Sequence, residues 1–309
     1  MDLMGSRIHR FSDHLCGRFP FKVSKLPVDA GFTCPNRDGT KAWGGCTYCD
    51  NRSFSPPARD RSVAVRDQIE RGLAKRPHAI VYFQAYTNTY APVERLRELW
   101  DLALSYPQVV GLAIATRPDC VPDPVLDLVE AYTRRTAIWL ELGFETSHDA
   151  TLSALNRAHT WAECEDAVRR ARGRGFELVA HLIFGLPGET RAMMMETADR
   201  VAELGVDAAK LHHFYVARGT ALEAQHRRAP LALLSLEEWA SLAADVIERL
   251  PEKLYIERVA GELGNAWLAA PRWGKSTAQV WNAVEAELER RGTRQGMSRR
   301  KSHGFVPQV

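Results

Sequence analysis

The sequence predicts an α/β protein: a partial (β/α)6 TIM-like barrel followed by a short α+β C-terminal extension. Two observations carry this prediction. Short, nearly continuous apolar runs alternate with amphipathic helical patterns, as expected of parallel strands covered on both faces. Polar and glycine-rich residues gather at the C-terminal ends of those runs, the edge where parallel α/β folds bind ligands.

The strands expected are Phe21–Val28, Ala79–Ala85, Val109–Thr116, Ala137–Phe144, Leu178–Phe184 and Ala208–Phe214. Helical periodicity marks Val63–Lys75, Pro92–Ser105, Pro124–Arg134, Trp161–Arg174 and Arg191–Leu204 between them. Pro92 and Pro124 suit a first helical turn, and Thr160 suits an N-cap. Strand–helix alternation requires right-handed crossovers and hence a parallel sheet or barrel. The pattern changes near residue 230. Residues 1–230 are read as the barrel with its N-terminal leader, and 231–309 as an extension. That extension holds a helix at Leu236–Leu250, a short strand at Tyr255–Val259, a helix at Ala278–Arg291 and a basic tail.

The 309 residues, with 45% apolar and 26% charged side chains, have an ordinary globular composition. No apolar run reaches the length of a membrane span, and the charged N-terminus does not read as a secretory signal. A cytoplasmic, reducing location follows, so the six cysteines are read as thiols or metal ligands. A net charge of +3 implies no nucleic acid by itself, but residues 290–301 hold six basic residues and no acidic one.

Cys34, Cys46 and Cys49 follow the first strand in the pattern C-x11-C-x2-C. Three loop thiolates can bind three irons of a cubane and leave the fourth open. Gly39, Gly44 and Gly45 permit tight turns there. The spacing alone also admits a zinc knuckle, though zinc wants four ligands and no fourth Cys or His lies in the loop, or a redox pair.

The stretches VDAGFTCPNRDGT–GGCTYC, GLAIATRPDCVPD, WLELGFETSHDATLSALNRAHT, HLIFGLPGET and LAAPRW resemble the YhcC/YtqA family of radical S-adenosylmethionine (SAM) proteins. That family shares a branch with the elongator catalytic subunit and the oxygen-independent coproporphyrinogen oxidases. The resemblance spans nearly the whole chain. It implies a radical SAM barrel with a [4Fe-4S] cluster on Cys34, Cys46 and Cys49, and with SAM chelating the open iron. It also implies an electron from a reductant such as flavodoxin or ferredoxin, which cleaves SAM to methionine and a 5′-deoxyadenosyl radical.

By the same resemblance, Tyr48 lies against adenine, and Gln84, Thr87 and Asn88 hold the SAM amino group. Arg157 pairs with the SAM carboxylate. Glu145 contacts the ribose where relatives more often carry Gln; a carboxylate can accept from two hydroxyls. Gly185 and Gly188 let the backbone approach adenine, and His181 makes a polar contact to SAM. Thr116 and Arg117 end the third strand. Glu141 interrupts an apolar strand; a buried carboxylate needs a partner, which suggests a site role. Alternation sends Lys210 and His212 to one strand face and His213 to the other. Cys16, Cys120 and Cys164 read as plain thiols.

The first functional expectation is a radical SAM enzyme modifying tRNA, at an existing wobble-uridine side chain, because no acetyltransferase domain follows the barrel. The alternatives are a radical SAM enzyme acting on a small metabolite or porphyrin, and a non-catalytic zinc-binding RNA module.

Overall fold

The computed structural model describes residues 6–55, 60, 63–261 and 263–302. The elements run α1 (Phe11–Arg18), β1 (Ser24–Val28), α2 (Asn51–Phe54), α3 (Val65–Leu73), β2 (Ala79–Phe83), α4 (Val93–Leu104), β3 (Val109–Thr116) and α5 (Asp123–Thr133). They continue with β4 (Ala137–Glu145), α6 (Asp149–Ala154), α7 (Trp161–Ala171), β5 (Glu177–Phe184), α8 (Arg191–Leu204), β6 (Ala208–His213), β7 (Val216–Ala217) and α9 (Ala221–Arg228). The last are α10 (Leu236–Arg249), β8 (Tyr255–Arg258), β9 (Leu268–Ala270), α11 (Thr277–Arg291) and α12 (Met297–Ser302). Among these residues no helix is long and apolar enough to cross a membrane.

Seven parallel strands form one sheet in the order β1-β2-β3-β4-β5-β6-β8, curled into a half-barrel. Six of them are the strands the sequence predicts. The seventh, β8, comes from the segment beyond residue 230 and pairs with β6 through Ala208↔Tyr255 and Ala209↔Ile256. It is the short strand expected at Tyr255–Val259, one residue shorter; the sequence assigns it to the extension, whereas it completes the barrel sheet. α1 is not among the elements the sequence predicts. Its Phe11 and Leu15 close the bottom of the barrel, packing with Ile80, Trp139, Val179 and Tyr255.

The period of two along each strand divides the sheet into two faces. One face packs under the helices as the main core, with Val81, Phe83, Ile114, Leu140, Leu142 and Leu182 all fully buried. The other face lines the barrel interior. Its lowest layer is the apolar plug around α1. The next layer is polar, with Lys25, Glu141, Lys210 and Glu257 joined by Tyr82 and His181. Lys25 on β1 bridges Glu141 and Glu257, and Lys210 bridges Glu141. Side chains thus join the first and last strands, which share no ladder.

The helix signals held where caps were visible. Thr160 accepts from the Glu163 amide in a capping box that opens α7. Pro92 stands at the N-cap of α4, one position before the expected first turn.

Candidate cluster and cofactor site

The loop between β1 and α2 carries the three cysteines over the C-terminal mouth of the barrel. Cys34, Cys46 and Cys49 line one cavity together with residues from β2 to β6. Cys46 is buried and the other two are half-buried. The loop is fixed from several sides. Asn156, at φ 53°, donates to the carbonyls of Trp43 (2.9 Å) and Gly45 (2.8 Å). The Thr47 amide donates to the Leu155 carbonyl at 3.0 Å. Lys41 reaches Asp119 at 2.7 Å, and Asp119 takes two 2.9 Å bonds from Arg117, so the loop is tied to the end of β3. Burial alone would raise the Asp119 carboxyl; Arg117 and Lys41 outweigh it and hold it at about 2.

Donors point at the sulfurs. Asn36 Nδ2 lies 3.5 Å from Cys46 Sγ, Asn51 Nδ2 lies 3.5 Å from Cys49 Sγ, and Arg157 Nη1 lies 3.7 Å from Cys46 Sγ. Burial, with the thiols of Cys46 and Cys34 nearby, pushes the Cys49 thiol well above its ordinary range. The thiolate form therefore needs a compensating cation. Among the described residues no three His, Cys, Asp or Glu side chains gather to hold a single metal ion. A cubane gives each thiolate its own iron, so three thiols around a shared space suit it. Arg117 Nη1 and Arg157 Nε, both on cavity-lining residues, are buried donors without a partner among the described residues. A carboxylate-bearing ligand would satisfy them. The donor set fits a [4Fe-4S] cluster with SAM beside it.

Nine of the twelve expected SAM-site residues line this cavity: Tyr48, Gln84, Thr87, Thr116, Arg117, Glu141, Glu145, Arg157 and His181. Glu145 follows a register shift between β4 and β5 and adopts φ 66°, an uncommon conformation for a side-chain-bearing residue. It meets Arg157, which also donates to the Gly143 carbonyl at 2.7 Å. A Cβ on Gly143 would stand 2.5 Å from Arg157 Nη2, so only glycine leaves room for the guanidinium. Thr116 shares a 2.5 Å hydrogen bond with Thr89 at the end of β3. Glu141 is fully buried and finds its partners in Lys25, Lys210 and His181, the last at 2.8 Å. Burial is opposed by Lys210 and Lys25, whose charges hold the Glu141 carboxyl well below its usual range.

Three expected residues lie off the cavity wall. Asn88 is buried, and its amide side chain donates to the Ala115 carbonyl at 2.8 Å, fastening the loop after β2 to β3. The Gly185 amide faces Met194 Sδ at 3.2 Å, and a Cβ there would stand 2.9 Å from Leu234 Cδ1. Gly188 is exposed at φ 86° with open space around it, as a turn residue. Cys120 is buried, beside Asp119, and burial pushes its thiol up to about 12.

Sequence reading missed Arg37, Asn51, Tyr82, Tyr215 and Arg258 as lining residues. Asn51, directly behind the last cysteine, could have been suspected from position. Tyr82 and Arg258 could not, because their inward direction depends on strand register. His213 was expected on the face opposite Lys210 and His212, yet it also lines the cavity, because β6 ends there and alternation no longer holds.

The radical SAM superfamily matches residues 34–201, and the Radical_SAM C-terminal domain matches residues 206–290. The chain is 39% identical to the uncharacterized protein YtqA of Bacillus subtilis (strain 168), over 94% of this chain and 92% of that one. It is 39% identical to protein YhcC of Escherichia coli (strain K12), over 92% of this chain and 91% of that one. The solved structure of archaeal Elp3 from Methanocaldococcus infernus superposes with a TM-score of 0.64 at 17% identity, covering 93% of this chain and 68% of that one, a likeness of fold. With three thiols at the barrel mouth and these matches along the chain, it belongs to the YhcC/YtqA family of the radical SAM superfamily, whose cofactors are a [4Fe-4S] cluster and SAM.

Proposed function

We propose that this radical SAM enzyme modifies a tRNA base, such as a wobble-uridine side chain, in the cytoplasm. In this reading Cys34, Cys46 and Cys49 hold the cluster and Arg157 binds the SAM carboxylate. Glu145 orders the ribose, Tyr48 covers adenine, Gln84 and Thr87 bind the amino group, and His181 makes a polar contact to SAM. When bound, the cluster would supply one electron to SAM, drawn from a reductant such as flavodoxin or ferredoxin. The protein's part is to position both groups and keep water out.

The observation that carries the tRNA reading is the aromatic lining of one cavity. Tyr48, Tyr86 and Tyr215 all border it, and bases taken out of a nucleic acid are held by stacking on such rings. Tyr48 is given to the adenine of SAM in this reading, which leaves Tyr215 and the face of Tyr86 away from Arg37 for a substrate base. The motif resemblance to the elongator branch supports the same substrate class.

The test is nucleoside profiling of total tRNA from a deletion strain, followed by anaerobic incubation of that tRNA with reconstituted enzyme, SAM and reductant. A nucleoside that disappears in the strain and returns in the tube is expected. An unchanged nucleoside profile would overturn the tRNA reading and leave a small metabolite or porphyrin as substrate.

A further inference from the structure

Cys46 and Cys49 border two openings. One is the barrel cavity. The other is a groove on the outer side of the cluster loop, lined by Arg37, Trp43, Asp50, Arg52 and Tyr86 along with the two cysteines. Trp43 is 74% exposed; the other exposed large apolar side chain among the described residues, Phe21, is 38% exposed.

The Trp43 ring is exposed but not loose. Gly39, at φ 88°, seats it: a Cβ there would lie 2.2 Å from Trp43 Cζ2. Asp38 and Trp43 form an antiparallel backbone bridge, and Asn156 holds the Trp43 carbonyl at 2.9 Å. Tryptophan is among the residues enriched at the energetic hot spots of protein interfaces.

The charges beside it are mostly paired already. Arg52 pairs with Asp50 at 2.7 Å, Lys41 is drawn to Asp119 and Glu163, and Asp38 accepts from Thr40 at 2.7 Å. Arg37 makes no salt bridge among the described residues; its guanidinium lies over the Tyr86 ring at 5.5 Å.

We propose that this groove docks the electron donor, a small acidic protein carrying a low-potential flavin, with Trp43 as anchor and Arg37 facing its carboxylates. The inference rests on the cluster assignment above and names the partner surface of that site. Electron transfer falls steeply with distance, so the donor must dock close to the ligating cysteines, and two of the three border this groove. The substrate must instead reach the barrel cavity, where SAM binds. A single anchor in a shallow groove suits the small, transient interfaces of electron-transfer partners. In the step itself the carrier loses one electron and the cluster gains one; no atom is transferred.

The test uses full-length reconstituted protein and a purified flavodoxin. Trp43→Ala should weaken flavodoxin binding to the immobilised protein at least fivefold. It should raise by a similar factor the flavodoxin concentration that gives half-maximal 5′-deoxyadenosine formation. Iron content and the dithionite-driven rate should stay at the wild-type level, and Trp43→Phe should retain most of the binding. Unchanged binding in Trp43→Ala would overturn the proposal. So would a loss of tRNA affinity with flavodoxin binding intact, which would assign the groove to RNA. Should Trp43→Ala lose iron, Arg37→Glu carries the test through binding alone, with the same weakening expected and unchanged binding overturning it. Wild-type protein that binds no iron and cleaves no SAM with dithionite would remove the cluster reading itself, a failure distinct from that of the groove.

Discussion

Arg157 Nη2 stands 3.2 Å from Glu145 Oε1, across the twelve residues that separate the end of β4 from the segment after α6. The same guanidinium reaches the Gly143 carbonyl and approaches Cys46 Sγ. One side chain therefore joins the proposed ribose contact, a barrel strand and a cluster ligand. It is buried, not a surface helix arginine. Burial works against its charge, but Tyr48, Glu145 and Cys46 more than offset this and hold it charged. Arg157→Ala removes a charge-assisted contact to the SAM carboxylate, worth roughly 1.5–3 kcal/mol. SAM affinity, measured by equilibrium binding to anaerobic protein of known iron content, should fall at least tenfold. Unchanged affinity would make Arg157 only a strut for Cys46.

The cluster assignment separates the six cysteines into two groups. Replacing Cys34, Cys46 or Cys49 with Ala should abolish the uptake of about four irons and four sulfides expected of a cubane. Replacing Cys16 or Cys164 should not. Cys16 is exposed on α1, and Cys164 lies inside α7 with its thiol 3.5 Å from the Thr160 carbonyl. Iron and sulfide analysis after anaerobic reconstitution reads the difference. Full loading in Cys46→Ala would overturn the ligand set.

Much of this was legible because it is local. Six apolar runs gave six strands, with β3 matching to the residue and β1 beginning three residues later than expected. The cysteine spacing lay within one loop. Glu141 was legible as a buried charge in need of a partner, but its partners were not. Lys25, His181 and Lys210 come from three other strands, and only the sheet order brings them together. The same holds for Tyr82, whose hydroxyl accepts from Lys210 Nζ at 3.2 Å. Gly185 and Gly188 were read from a motif. Their positive φ values are turn requirements, which a sequence cannot distinguish from a close approach to a ligand.

Asp119 predicts a pH dependence of stability. Its carboxyl lies at about 2 in the fold, below its ordinary 3.8, because Arg117 and Lys41 favour the charged form more than burial opposes it. A lowered acid gives stability that is present above the unfolded value and lost as pH falls through the folded one. The contribution is roughly 2 kcal/mol. Urea denaturation of wild type and Asp119→Asn should show a gap at pH 7 that narrows between about pH 4 and pH 2. A gap of constant size would mean that the variant acts only through packing.

The basic stretch at residues 290–301 makes a different prediction from the one its charge suggests. As a solvated arm it would neutralise phosphates, and its removal would flatten the salt dependence of RNA binding. The structure gives its arginines other work. Arg290 pairs with Glu287 at 2.8 Å. Arg291 pairs with Asp245 at 2.6 Å, with Glu287 at 2.7 Å and with Glu248 at 3.2 Å, and it donates to the Ser241 carbonyl at 2.9 Å. Arg294 lies 3.6 Å from Glu252. The side chains of Arg300 and Lys301 lie outside the described residues. Gln295 is buried; it accepts from the His9 amide at 3.0 Å and donates to the carbonyls of Pro251 and Leu254 at 2.7 and 2.5 Å. The stretch thereby fastens the N-terminal segment to the loop before β8. Gln295→Ala would leave these buried backbone groups unpaired, at about 1–3 kcal/mol for each group that water cannot reach. Deleting residues 290–309 should therefore lower the midpoint of thermal unfolding clearly, and Gln295→Ala alone should lower it measurably. Arg290→Ala should leave the salt slope of tRNA binding unchanged, because that side chain is already paired with Glu287. A truncated protein as stable as wild type, with a flattened salt slope, would return the stretch to the role its charge suggests.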